Sequence, residues 1–256
     1  MEQSMHSFFT SFKAGTDLGP LPDSLQLYSH PPASACILAI EELQDYLQTQ
    51  NEWEHNFGLV PNQPGTIIGK MFGVLIVENQ DKEIGYLSAF SGKLADRNTF
   101  TRFVPPVFDT LAADGFLSSG MKKLGEMSLG IKSLKECETE AQKREIEALR
   151  KERKDFSIDL QTQLFESYHF LNQSGEEKSL ISIFKDAGYA NPPAGAGECA
   201  APKLLQYAFL NQLKPIALTE FWWGQSPKSA TWKHQHFYAP CKEKCEPILA
   251  HMLNTI

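Results

Sequence analysis

Residues 66–77 read Thr-Ile-Ile-Gly-Lys-Met-Phe-Gly-Val-Leu-Ile-Val, and after the polar stretch Glu78-Asn79-Gln80-Asp81-Lys82 the chain resumes with Ile84-Gly-Tyr-Leu-Ser-Ala-Phe90. Two apolar runs separated by turn-forming residues predict a β-hairpin. A half-exposed strand alternates apolar and polar residues, whereas the first run is apolar at both parities, so both of its faces must be covered. That restricts the chain to a layered α/β (α+β) architecture. Gly69, Gly73 and Gly85 within the hairpin suggest bulges or close approach of another backbone.

Around this hairpin the pattern is uneven. The first thirty residues carry no sustained period and read as a strap over the surface. Residues 34–50 place Ile37, Leu38, Ile40, Leu43 and Leu47 at helical spacing, with Pro31-Pro32 as a stop and Ser34 as a cap. Residues 91–120 read as a surface excursion. From Met121 to about Phe170 the composition turns to Glu, Lys, Gln and Leu, predicting one long charged helical, coiled-coil-like arm, or two helices broken near Leu129-Gly130. Compact composition returns with a short helix from Leu180 to Ala187, a helix from Cys199 to Leu213, a strand over Ile216–Trp223, and a final helix from Pro240 to Leu253. The expected organisation is therefore a first half of the core at 1–120, an inserted arm at 121–170 and a second half at 171–256.

The 256 residues are 42% hydrophobic, enough for a core without staples. A net charge of −7 excludes a protein that holds nucleic acid by bulk electrostatics alone. The five cysteines are odd in number, and no charged-then-apolar leader or membrane-length apolar run occurs, so the expectation is a soluble, reducing, cytoplasmic protein with no membrane contact. Phosphate loops, dinucleotide fingerprints, nucleophile elbows and His-Glu-x-x-His are all absent.

Three of the cysteines fall in two clusters, Gly195-Ala-Gly-Glu-Cys-Ala-Ala-Pro-Lys203 and Pro240-Cys-Lys-Glu-Lys-Cys245. Each opens a predicted helix, and thiols converging from helix N-termini suit a soft metal, zinc above all. Cys199, Cys241 and Cys245 are the candidate ligands, with His234 or His236 as the candidate fourth; the alternative is three core thiols and a polar loop without metal. Cys36 lies on the apolar side of its helix and Cys137 in the charged arm, and neither requires a function. Lys203, Lys228, Lys233 and Lys242 interleave with aromatic residues, a combination that stacks on and neutralises single-stranded nucleic acid. Of the adjacent Trp222 and Trp223, strand alternation sends one to the core and one outside, which leaves Trp232 as the candidate exposed ring.

The order helix, strand, strand, insertion, helix with Cys199, strand, helix with Cys241 and Cys245 resembles the zinc-dependent nucleobase deaminases. That resemblance implies a deaminase-like three-layer core in which these cysteines hold zinc. The family's general acid/base glutamate falls two residues after the first ligand, where this chain has Ala201, and three residues instead of two separate Cys241 from Cys245. Glu198, adjacent to Cys199, is then the carboxylate drafted as proton shuttle.

Trp53-Glu-His-Asn-Phe-Gly58, Ile68-Gly-Lys-Met-Phe-Gly-Val-Leu75, Gly85-Tyr-Leu-Ser-Ala-Phe-Ser-Gly-Lys-Leu94, Phe103-Val-Pro-Pro-Val-Phe-Asp109, the Gly195–Ala208 stretch and Phe221-Trp-Trp-Gly224 are similar in wording to the amino-terminal, non-catalytic region of long-form RluA-type RNA pseudouridine synthases. The catalytic His-Arg-Leu-Asp motif of that family does not occur here. The resemblance implies an accessory module whose partners are structured RNA, tRNA or rRNA, or a synthase catalytic domain. The competing expectations are a divergent zinc deaminase-like hydrolase and a structural protein that forms homo-oligomers through the helical arm.

Overall fold

The computed structural model describes residues 8–134 and 139–254. An edge strand β1 (Thr10–Ser11), helix α1 (Ser34–Thr49) and the hairpin β2 (Lys70–Glu78) and β3 (Ile84–Phe90) come first. Helices α2 (Phe116–Leu134) and α3 (Glu140–Glu166), the small hairpin β4 (His169–Leu171) and β5 (Glu177–Ser179), and helix α4 (Leu180–Asp186) follow. Helix α5 (Ala200–Leu210), strands β6 (Lys214–Trp223) and β7 (Phe237–Tyr238) and helix α6 (Glu246–Met252) complete the described residues.

The main sheet has the order β1-β3-β2-β6-β7, with every neighbouring pair antiparallel. Strand β2 is central, Gly73 pairing with Ala89 on one side and Glu220 on the other. Both β3 and β6 oppose β2, so they run parallel to each other, and the chain between them crosses over one sheet face. The double-sided apolar run explains the layering. Phe72, Val74 and Ile76 share one core with Ile40 and Leu43 of α1, while Leu75 and Val77 belong to a second core with Leu204 and Leu205 of α5 and Ile248 of α6. Each such fully buried side chain contributes about 1.5–3 kcal/mol relative to exposure.

Several boundaries differ from expectation. Ser34 is the first helical residue, and the N-cap is Ala33, which makes no side-chain cap bond. Residues 91–120 are not a surface excursion: Leu94, Phe100, Phe103 and Val104 are buried, and the Asn98 amide donates to Asp109 at 2.7 Å. Helix α2 runs through Leu129-Gly130 without a break. The new helix starts at Thr139, whose hydroxyl accepts from Gln142 N–H while Gln142 reaches back to Thr139 N–H. Cys137 lies outside the described residues. Helices α2 and α3 pack antiparallel: Arg153 Nε donates to Ser128 Oγ at 2.8 Å, and Lys123 sits over the Phe156 ring at 4.4 Å. The hairpin of β4 and β5 was unforeseen; Gly175, at φ +82°, closes its turn. Among the described residues, no helix is long and apolar enough to cross a membrane.

Candidate metal centre

Cys199 is the N-cap residue of α5, and its side chain makes no cap hydrogen bond, which leaves the thiol free to face the sheet. Helix α5 can lie this close because β2 carries glycine beneath it: a Cβ on Gly73 would sit 3.1 Å from Ala200 Cβ and 3.2 Å from Leu204 Cδ1. Cys245 is the N-cap residue of α6. Cys241 precedes that helix rather than lying within it, because residues 242–245 form a turn in which Cys245 N–H and Glu246 N–H both donate to Cys241 C=O, at 3.1 and 3.2 Å. The turn accommodates the third intervening residue and returns the two sulfurs to 3.3 Å. The three sulfurs all lie within 4.8 Å of one another.

These thiols share protons. Hydrogen bonding from Cys199 and then Cys245 drives the Cys241 pKa far below the ordinary thiol range, and the same contacts hold Cys199 and Cys245 above it. A cation entering the cluster would displace the thiol protons. Three sulfurs this close together can hold a metal ion.

A fourth group was missed from the sequence. Glu220 on β6 pairs with Gly73 and, sharing the parity of Leu218, faces α5. It is buried, and its Oε1 accepts from Ala201 N–H at 3.1 Å. Burial pushes its pKa up to about 7, against the Ala201 hydrogen bond, and the neighbouring Cys241 adds to the rise. Its signal was a lone acid inside an otherwise apolar strand, Ile216-Ala-Leu-Thr-Glu-Phe-Trp-Trp223.

The other candidates are placed elsewhere. Glu198 turns its carboxylate away from the thiols, to the Tyr168 hydroxyl and to Lys203 Nζ at 3.7 Å, which removes it as a shuttle at the cluster. Lys203 is 2% exposed and donates to Phe90 C=O at 3.2 Å and Gly92 C=O at 3.4 Å, so its ammonium ties α5 to the end of β3 and is not a surface contact. His234 Nδ1 accepts from Gly224 N–H at 3.1 Å and its ring packs on Trp223, while His236 is exposed; neither joins the sulfur group. Lys228, Lys233 and Lys242 are exposed. Trp223 is the buried member of the tryptophan pair, and Trp222 is half-buried. Trp232 is not a free ring: it stacks on Trp222 at 6.0 Å and meets Tyr238 edge-on at 4.6 Å. Cys36 is buried, and burial pushes its pKa up to about 11.

No family model, curated protein or solved structure matches this chain.

Proposed function

We propose that this chain is a zinc-holding α/β module of RNA modification, an accessory RNA- or partner-binding unit of the RluA-type pseudouridine synthases rather than the isomerase itself. The convergence of Cys199, Cys241 and Cys245 carries the metal part of this reading. Zinc held by these thiols would cross-link the start of α5 to the start of α6 and, at a remaining coordination position, act as a Lewis acid. The RNA part is supported by the sequence resemblance and by the exposure of Lys228, Lys233 and Lys242.

Metal analysis beside a gel shift tests it. About one zinc per chain is expected in the wild type, with loss in both Cys199→Ser and Cys241→Ser. Structured RNA should be retained at low salt, with a salt slope that falls by about one for each of the three lysines removed. Metal-free wild type prepared without chelator would remove the first half, and no shift at low salt would remove the second.

Glu220 favours a second reading, a deaminase-like hydrolase of bases or nucleotides. Its buried carboxyl faces the thiols, supplying the proton-holding group that Ala201 lacks. Ammonia release from a nucleoside panel by the zinc-loaded protein, abolished in Glu220→Gln, is the expected sign; an inert loaded protein rules the reading out.

A further inference from the structure

Beyond the thiol cluster, a cavity of about 740 Å³ opens where β2 begins, within the size range of small-molecule sites. Its walls are fixed by hydrogen bonds. The Asn56 amide donates to the carbonyls of Gln63, Pro64 and Gly65 at 2.7, 3.3 and 3.2 Å, and its Oδ1 accepts from Gly58 N–H at 2.8 Å. His55 contacts Ile68 C=O through Nε2 at 2.8 Å and accepts from Ala95 N–H through Nδ1 at 3.4 Å, which assigns a neutral ring with its proton on Nε2. Burial lowers the His55 pKa in the same sense.

Two ammonium groups line this pre-formed space, Lys70 on β2 and Lys93 after β3, with Glu54 and Asp96 also in the lining. Lys70 is half-buried, and among the described residues its ammonium has no ion pair. Burial holds its pKa down, and the charge of Asp96 opposes that. A partly desolvated cation without an ion pair, open to a cavity, is poised for an anion. The volume exceeds what an inorganic anion needs, and the carboxylates suit hydroxyl or amine donors on the remainder of the ligand.

We infer that this cavity binds a phosphorylated nucleoside, its phosphate on Lys70 and Lys93 and its sugar or base donors on Glu54 and Asp96. The source is a free mononucleotide or one residue of single-stranded RNA, which present the same chemistry. This inference does not rest on the metal centre.

Calorimetric titration of the full chain with the four ribonucleoside monophosphates, each beside its parent nucleoside, tests it. At least one nucleotide should bind roughly tenfold or more tightly than its nucleoside, and Lys70→Met should erase that preference, as expected for loss of a charge-assisted phosphate contact. Lys93→Met, at an exposed position, should weaken the nucleotide severalfold and keeps the test available if Lys70→Met does not fold. Competition by a short single-stranded RNA, lost in the same variants, identifies RNA as the source; nucleotide binding without competition identifies the free nucleotide. No nucleotide binding, or binding unchanged in both variants, overturns the inference whatever the metal content.

Discussion

The thiol cluster and the Trp222–Trp232 patch both combine residues that can do chemistry, yet the fold uses them in opposite ways. At the cluster, the start of α5 and the turn before α6 bring the Cys199, Cys241 and Cys245 sulfurs within 4.8 Å of one another, with the buried Glu220 carboxyl of β6 held nearby by Ala201 N–H. At the patch the side chains satisfy each other: Trp232 lies between Trp222 and Tyr238, and Tyr238 Oη accepts from Lys233 N–H at 2.7 Å. Unresolved charge and crowded donors mark the first as a site, and completed contacts mark the second as a surface loop pinned by its own aromatic rings.

The largest test of that contrast is removal of a sulfur. Cys199→Ser is expected to abolish zinc retention and the stabilisation that zinc confers, about 4 kcal/mol when free zinc exceeds Kd a thousandfold. Melting curves with zinc and with chelator should differ in the wild type and coincide in the variant. If they coincide in both, the cluster is a core feature and the contrast fails.

Glu220 sharpens the contrast through pH. Its folded pKa, about 7, lies above the value near 4.5 it has when unfolded, so the native state binds the proton more tightly. That contribution is complete below about pH 4.5 and is lost as pH rises through about 7, a change of about 3 kcal/mol by linkage. Chelator-treated wild type should therefore lose stability between these limits relative to Glu220→Gln. A parallel pH dependence in the two proteins would show that the carboxyl is not held protonated.

How much of this was legible in the sequence depended on how local the cause was. The hairpin and its coverage on both faces followed from the apolar run at 66–77, because burial parity is a local pattern. The three cysteines were legible as a set, since glycine or proline turns and helix starts mark their positions. Glu220 was not, because what makes it a site residue is the register that seats it opposite Gly73 and beneath α5. Nor was the burial of Lys203, which reads as a surface lysine until α5 is laid on the end of β3. The supposed excursion at 91–120 failed for a similar reason: Phe100 and Phe103 fill the core by long-range packing among Phe72, Phe90 and Trp53, which no short period announces.

Gly73 tests the support beneath the site. A side chain there would meet Ala200 and Leu204 at distances tighter than ordinary contact, so Gly73→Val should cost about 2 kcal/mol and lower zinc affinity by lifting Cys199. Equal loss of stability with metal affinity intact would mean that the helix start is not held in place by the sheet.

The smallest effect belongs to the patch and separates the two regions most directly. Trp232→Ala removes one stacked and one edge-on aromatic contact and should cost about 1 kcal/mol, with zinc content unchanged. Zinc should be unaffected because the loop returns to the core through β7 and Pro240 before Cys241, and β7 is held by pairing of Phe237 with Phe221 and of Tyr238 with Glu220, independently of the tryptophan. That last pairing is also where the contrast is most exposed. Tyr238 touches Trp232 on one side and pairs through its backbone with the residue that carries the buried carboxyl on the other. If Trp232→Ala lowers zinc affinity or shifts the pH dependence assigned to Glu220, strand β7 transmits the state of the surface strap to the cluster, and the two regions form one device.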